Sequence, residues 1–160
     1  MIGLALCLLT APVAAPNFSL ATASSVSASA VLLGTWGVGP FDNDAAADWY
    51  AQFAEAPSWQ EIHRAFEATT RPAYLEADEA SIAVAAAAVV SAAQLGQLEA
   101  LPPEGRSAAA GLGKPPAALL REAKAALSRV QNDSELAELW AEDDASPWLA
   151  SLNSIRTGLK

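Results

Sequence analysis

From residue 44 onward, apolar positions recur at intervals of three and four, and one helical pattern follows another. Over residues 44–56, Trp49 and Phe53 stand four apart, with Ala46 and Tyr50 beside them on the same face. Pro57 interrupts. Ser58 and Glu61 then form the S-x-x-E pattern of a capping box, in which side chains satisfy the free N–H groups that open a helix. Trp59, Ile62 and Phe66 make the next apolar stripe, which ends at Arg71 and Pro72.

Residues 78–98 predict a long alanine-rich helix. Its middle, IAVAAAAVVSAA at residues 82–93, is apolar or small all round. Such a helix belongs at the centre of a bundle, where short side chains let neighbours come close. This stretch is short of the roughly 20 residues a membrane crossing takes. Residues 101–116 hold four prolines and three glycines and predict a loop, with one helical turn at 106–110. Over residues 116–131, Leu119, Ala123, Ala126 and Val130 share a face, leaving Arg121, Glu122 and Lys124 outside. Residues 134–142 predict a short helix carrying Leu136, Leu139 and Trp140. Ser146 and Pro147 read as the cap and first turn of a last helix bearing Trp148, Leu152, Ile155 and Leu159. The expected fold is a single all-α domain over residues 34–160. It is a compact irregular bundle of about six helices around residues 82–93, with a glycine-rich N-terminal loop and no paired strands.

Composition narrows this picture. The length of 160 residues suits one domain, and a 52% hydrophobic content supplies its core. With 9 basic and 18 acidic residues the formal charge is −9, which repels nucleic acid and anionic membranes and suits a basic protein partner. A single cysteine, Cys7, and a single histidine, His63, remove intramolecular disulfides, Cys/His zinc sites and paired-thiol redox motifs.

Residues 1–41 contain no Asp, Glu, Lys or Arg, and the first charge is Asp42. MIGLALCLLTAPVAA looks like the apolar core of a secretory signal, with Val13 and Ala15 suited to cleavage. However, no basic residue precedes it, Pro12 breaks the run, and Pro16 would open the mature chain. A lipoprotein signal would need a small residue where Leu6 precedes Cys7. A second reading makes residues 1–33 a spurious extension upstream of a start at Val31 or Leu33. A third makes them an extra ordered or tail-like segment. The protein is expected in the cytoplasm; the alternative is secretion, with residues 1–15 or 1–30 as the signal.

Candidate chemistry concentrates in residues 34–49, GTWGVGPFDNDAAADW. A phosphate-loop reading fails, because no Lys-Ser/Thr follows, the G-x-G-x-x-G order is absent and Pro40 blocks a helix directly after Gly39. An EF-hand would need an acidic residue or Asn at Ala46, Gly at Ala47 and Glu at Phe53. A looser metal site could use Asp42, Asp44 and His63. The structural reading has Asp42 or Asn43 capping the first helix, carboxylates favouring its dipole, and glycines giving unusual backbone angles or close packing beneath Trp36. Four tryptophans, Trp49, Trp59, Trp140 and Trp148, stand at core-facing positions. Trp36, flanked by glycines, also suits a protein contact. The candidate functional loop is therefore Trp36, Gly37, Gly39, Phe41, Asp42, Asn43 and Asp44. No catalytic, cofactor-binding or metal-ligating residue is assigned, and no cofactor is expected.

The same stretch resembles the opening of a family of small, mostly bacterial proteins catalogued as domain of unknown function 4259. These begin Met-Gly-[Thr/Ala]-Trp-Gly-x-Gly, followed by Phe-[Asp/Glu]-Asn-Asp and an Ala/Asp-rich helix. The resemblance runs through the alanine-rich middle to DSELAELWAE at residues 133–142 and the Trp148 helix, covering about residues 34–159. The family has no assigned activity, cofactor or catalytic residues, so the resemblance implies none here. Its members start where Leu33 and Gly34 stand, which favours the misplaced-start reading. The functional expectation is a non-enzymatic, acidic protein-binding module, an immunity- or antitoxin-like neutraliser of a basic protein. The alternative is a small hydrolase or metal-dependent enzyme using Asp42, Asp44 and His63.

Overall fold

The computed structural model describes residues 37–160, so Trp36 and the leader of residues 1–33 lie outside the described part. Among the described residues seven α-helices run in order: α1 (Asp44–Glu55), α2 (Trp59–Thr70), α3 (Ala77–Leu95), α4 (Pro103–Leu112), α5 (Ala117–Asn132), α6 (Glu135–Ala141) and α7 (Ser146–Gly158). A single 3₁₀ turn, Leu98–Ala100, joins α3 to α4. No strand occurs among the described residues, and the fold is the expected all-α bundle.

α3 is the hub. It packs against every other helix among the described residues, and Ala80, Ala83, Ala85, Ala86, Ala87, Val89 and Val90 are wholly buried. Alanine makes this possible, because a side chain of one methyl group lets neighbouring backbones approach from all sides. The helix is 19 residues long, and by length and composition it could cross a membrane. In the bundle, 67% of its apolar window is buried against the other helices.

The ends of α3 are closed by different devices. At its start the Ala77 N–H donates to Glu135 Oε2 of α6, 2.9 Å away, and the Glu135 N–H donates to Leu75 O at 2.9 Å. At its end Gly96 takes the left-handed conformation, φ +67°, and Gln97 N–H donates to Ala92 O at 2.9 Å. This turn closes the last carbonyls and calls for glycine.

Three local expectations are corrected. The proline- and glycine-rich segment forms the ten-residue α4, a full helix instead of a loop with one turn. Pro103 opens it at a position where the missing N–H costs nothing, and Arg106 braces the approach by donating to Leu101 O and Glu99 O. The Ser58 capping box forms only in half: Ser58 Oγ accepts from Glu61 N–H, while Glu61 Oε2 accepts from Arg64. Ser146 does not cap α7. Ala145 is already helical, and the Asp144 carboxylate accepts the Ser146 N–H at 2.9 Å; hydrogen bonding from the Ser146 side chain, with this backbone bond second, holds that carboxyl below its usual range.

Aromatic rings fill one side of the hub. Trp49 stacks on Phe53 at 5.6 Å, Phe53 meets Tyr50 at 6.1 Å, and Phe41 tilts onto Tyr50 at 4.7 Å. Trp49 and Trp148 are buried, whereas Trp59 and Trp140 are half-buried against the core. The Tyr50 hydroxyl donates to Pro102 O, and burial, helped by the Glu104 charge, pushes the phenol up to about 12. On the other side, His63 near the start of α2 meets Glu122 near the start of α5. Arg129 near the end of α5 reaches the carbonyls of Pro72 and Ala73 just past α2. These two helices therefore lie side by side and run in the same direction.

Candidate functional site

Residues 37–43 form a tight turn ahead of α1. The Gly39 N–H donates to Asp42 Oδ2 at 2.9 Å, and the Asp42 N–H donates back to Gly39 O at 3.2 Å. Gly37 and Gly39 lie against that carboxylate, and a Cβ on either would fall on Asp42 Oδ2. The glycines are needed here for close approach; positive φ among the described glycines occurs only at Gly96 and Gly113. Asp42 thus braces the turn, and the buried Asn43 caps α1 by accepting the Ala46 N–H at 3.2 Å. Asp44 faces solvent in the first helical turn, where its charge suits the dipole.

Beneath the turn lies a recess of about 20 Å³, the size of one water molecule, between Asp42, Ser81, Val84 and the stacked pair Trp140 and Trp148. Those two indoles stand 6.2 Å apart and nearly parallel. The element fastens the chain's entry onto the start of α3 and the α6–α7 corner. Of the candidate loop residues, Phe41 packs on Tyr50, Asn43 is consumed by the cap, and Asp42 is committed to the turn. Trp36 lies outside the described residues.

Asp42, Asp44 and His63 have separate surroundings. The His63 ring is engaged by Glu122 at 2.7 Å and faces Glu67 at 3.8 Å. Among the described residues no group of three or more His, Cys, Asp or Glu is placed to hold a metal ion.

A second feature was not read from the sequence. Two acidic segments, residues 76–79 and 133–144, meet where α6 docks on the start of α3. Besides the Glu135 bonds, the Tyr74 hydroxyl donates to Glu138 Oε2 at 3.1 Å. Together these segments carry Glu76, Asp78, Glu79, Asp133, Glu135, Glu138, Glu142, Asp143 and Asp144, half of the 18 acidic residues. No Lys or Arg occurs in residues 72–105 or 130–155. Arg129 enters from the side, 3.5 Å from Asp133. Tyr74, 49% exposed, stands among these carboxylates. Partial desolvation and the hydrogen bond to Glu138 push its phenol up, and the charges of Glu138, Glu135 and Glu76 add to this. The signal in the sequence was the pair of cation-free acidic segments; their meeting needed the fold.

The fold and this geometry define a small all-helical bundle with a glycine–aspartate entry turn and an acidic end. The model of one family, domain of unknown function (DUF4259), matches residues 34–151. The chain belongs to this family. The match opens at the expected residue and stops short of residue 159, inside α7. No curated protein and no solved structure matches the chain.

Proposed function

We propose that this protein is a non-enzymatic binding module for a basic protein partner, acting as an immunity- or antitoxin-like neutraliser in the cytoplasm. The observation that carries the reading is the acidic end: the α3–α6 junction gathers Glu76, Glu135 and Glu138 around the half-exposed Tyr74, within two segments that hold half of the acidic residues. Concentrated like charge raises the encounter rate with an oppositely charged partner, and an aromatic ring within it offers apolar area and a cation–π face to Lys or Arg. The turn residues Asp42 and Asn43 are spent on local structure, which favours the acidic end over the entry loop as the contact.

The test is capture by the tagged protein from its host at about 50 mM and about 500 mM salt, alongside a Tyr74→Ala/Glu138→Lys variant. The expected result is a stoichiometric basic partner at low salt, released at high salt and reduced ~10-fold or more by the variant. An empty capture at low salt sinks the proposal, as does a partner indifferent to both salt and substitution.

A further inference from the structure

The His63 ring has a carboxylate at each nitrogen. Nδ1 lies 2.7 Å from Glu122 Oε2 on α5, and Nε2 lies 3.8 Å from Glu67 Oε1, one turn further along α2. Two carboxylates at opposite ends of an imidazole cannot converge on one metal ion, which gathers its donors around a single point. They can hold a proton. A neutral ring has one N–H and one bare nitrogen. With its N–H given to Glu122, the lone pair on Nε2 faces the negative charge of Glu67. A second proton turns that repulsion into attraction and makes the Glu122 bond charge-assisted.

We propose that His63 is a proton-operated clasp on the seam between α2 and α5. Protonated, it ties Glu122 of α5 to α2 and its Glu67; deprotonated, it leaves the starts of the two helices held by apolar packing and one weaker bond. Its surroundings leave this role uncontested. On α2, Arg64 pairs with Glu61, and Arg71 takes the other oxygen of Glu67. On α5, Arg121 and Lys124 flank Glu122 and are exposed. α3, the other helix packed closely along α2, carries no Asp, Glu, Lys or Arg over residues 80–95. The far end of the seam is pinned by Arg129, whose guanidinium stays charged throughout, so loss of the proton loosens one end only.

The sign follows from the partners. The Glu122 hydrogen bond raises the proton affinity of His63, partial desolvation opposes it, and the charges of Glu122 and Glu67 add to the rise; the net shift is upward from 6.5. A folded-state value above the unfolded one means that the clasp is fully present below about 6.5 and is lost as pH rises through the folded-state value.

Because His63 is the one histidine in the chain, its ring can be titrated by NMR without ambiguity. The expected midpoint lies above 6.5, falls toward 6.5 in Glu122→Gln and falls less in Glu67→Gln. Thermal melts should show the wild type losing melting temperature as pH rises above 6.5, with the loss reduced in His63→Gln. A midpoint at or below 6.5, or one that Glu122→Gln leaves unmoved, overturns the clasp. So does a pH dependence of melting that His63→Gln leaves unchanged.

Discussion

Gly105 is the third residue of α4, and the ring of Tyr50 lies where its side chain would stand; a Cβ there would fall on Cζ and the hydroxyl. Helix propensity alone favours alanine over glycine by up to ~1 kcal/mol. The packing says the opposite, since α4 must shift or Tyr50 must give up its bond to Pro102. Gly105→Ala is therefore expected to destabilise the protein by about 1–3 kcal/mol in denaturant titration. A gain in stability would mean that the α1–α4 contact is looser than described. Gly158 poses the same question against Ser91 at the α3–α7 crossing. Both glycines are unremarkable in sequence, because what forbids a side chain comes from 55 or more residues away.

At the scale of elements, what could be read from the chain depended on how far away the cause lay. The stripes of α1, α2, α5 and α7 have local periods, and the uniform apolarity of residues 82–93 does mark the hub. Asn43 as cap of α1 was legible too, being three residues from its partner. α4 was not, because Pro102, Pro103 and Gly105 read as breakers. One proline starts the helix, and the glycine answers to Tyr50. The entry turn was half legible: the sequence offered unusual backbone angles or close packing beneath Trp36 for its glycines, and Gly37 and Gly39 pack closely against Asp42, which was not foreseen. Least legible is the start of α3, where the stabilising carboxylate belongs to Glu135, 58 residues on. Glu135→Ala should cost about 1–2 kcal/mol, in the range of a lost helix cap, with Glu135→Gln costing less because its amide oxygen can still accept. Equal losses for the two variants would show that the carbonyl-like acceptor is not what matters.

At the scale of the whole molecule, the bundle is built around one helix whose wholly buried side chains are all alanine or valine. The larger residues come from its neighbours: Phe53, Ile62, Leu127 and Leu152 are wholly buried, and they belong to α1, α2, α5 and α7. Removing any one neighbour strips the hub on that side. A chain ending at Asn132 lacks α6 and α7, and with them Glu135, Trp148 and Leu152. It is expected to lose its cooperative thermal transition while keeping helical signal, and circular dichroism with calorimetry would check this. A sharp transition in the truncated chain would show that α1–α5 suffice as a folding unit.

The distance between Ala77 and Glu135 has a further consequence during synthesis. At roughly 5–20 residues per second, the ribosome needs about 3–12 s to travel from the first residue of α3 to the carboxylate that completes its start. Through that interval the nascent chain displays a long apolar helix before its last covers exist. A newly made copy therefore passes through a few seconds in which a chaperone or a targeting factor can bind what the finished protein hides.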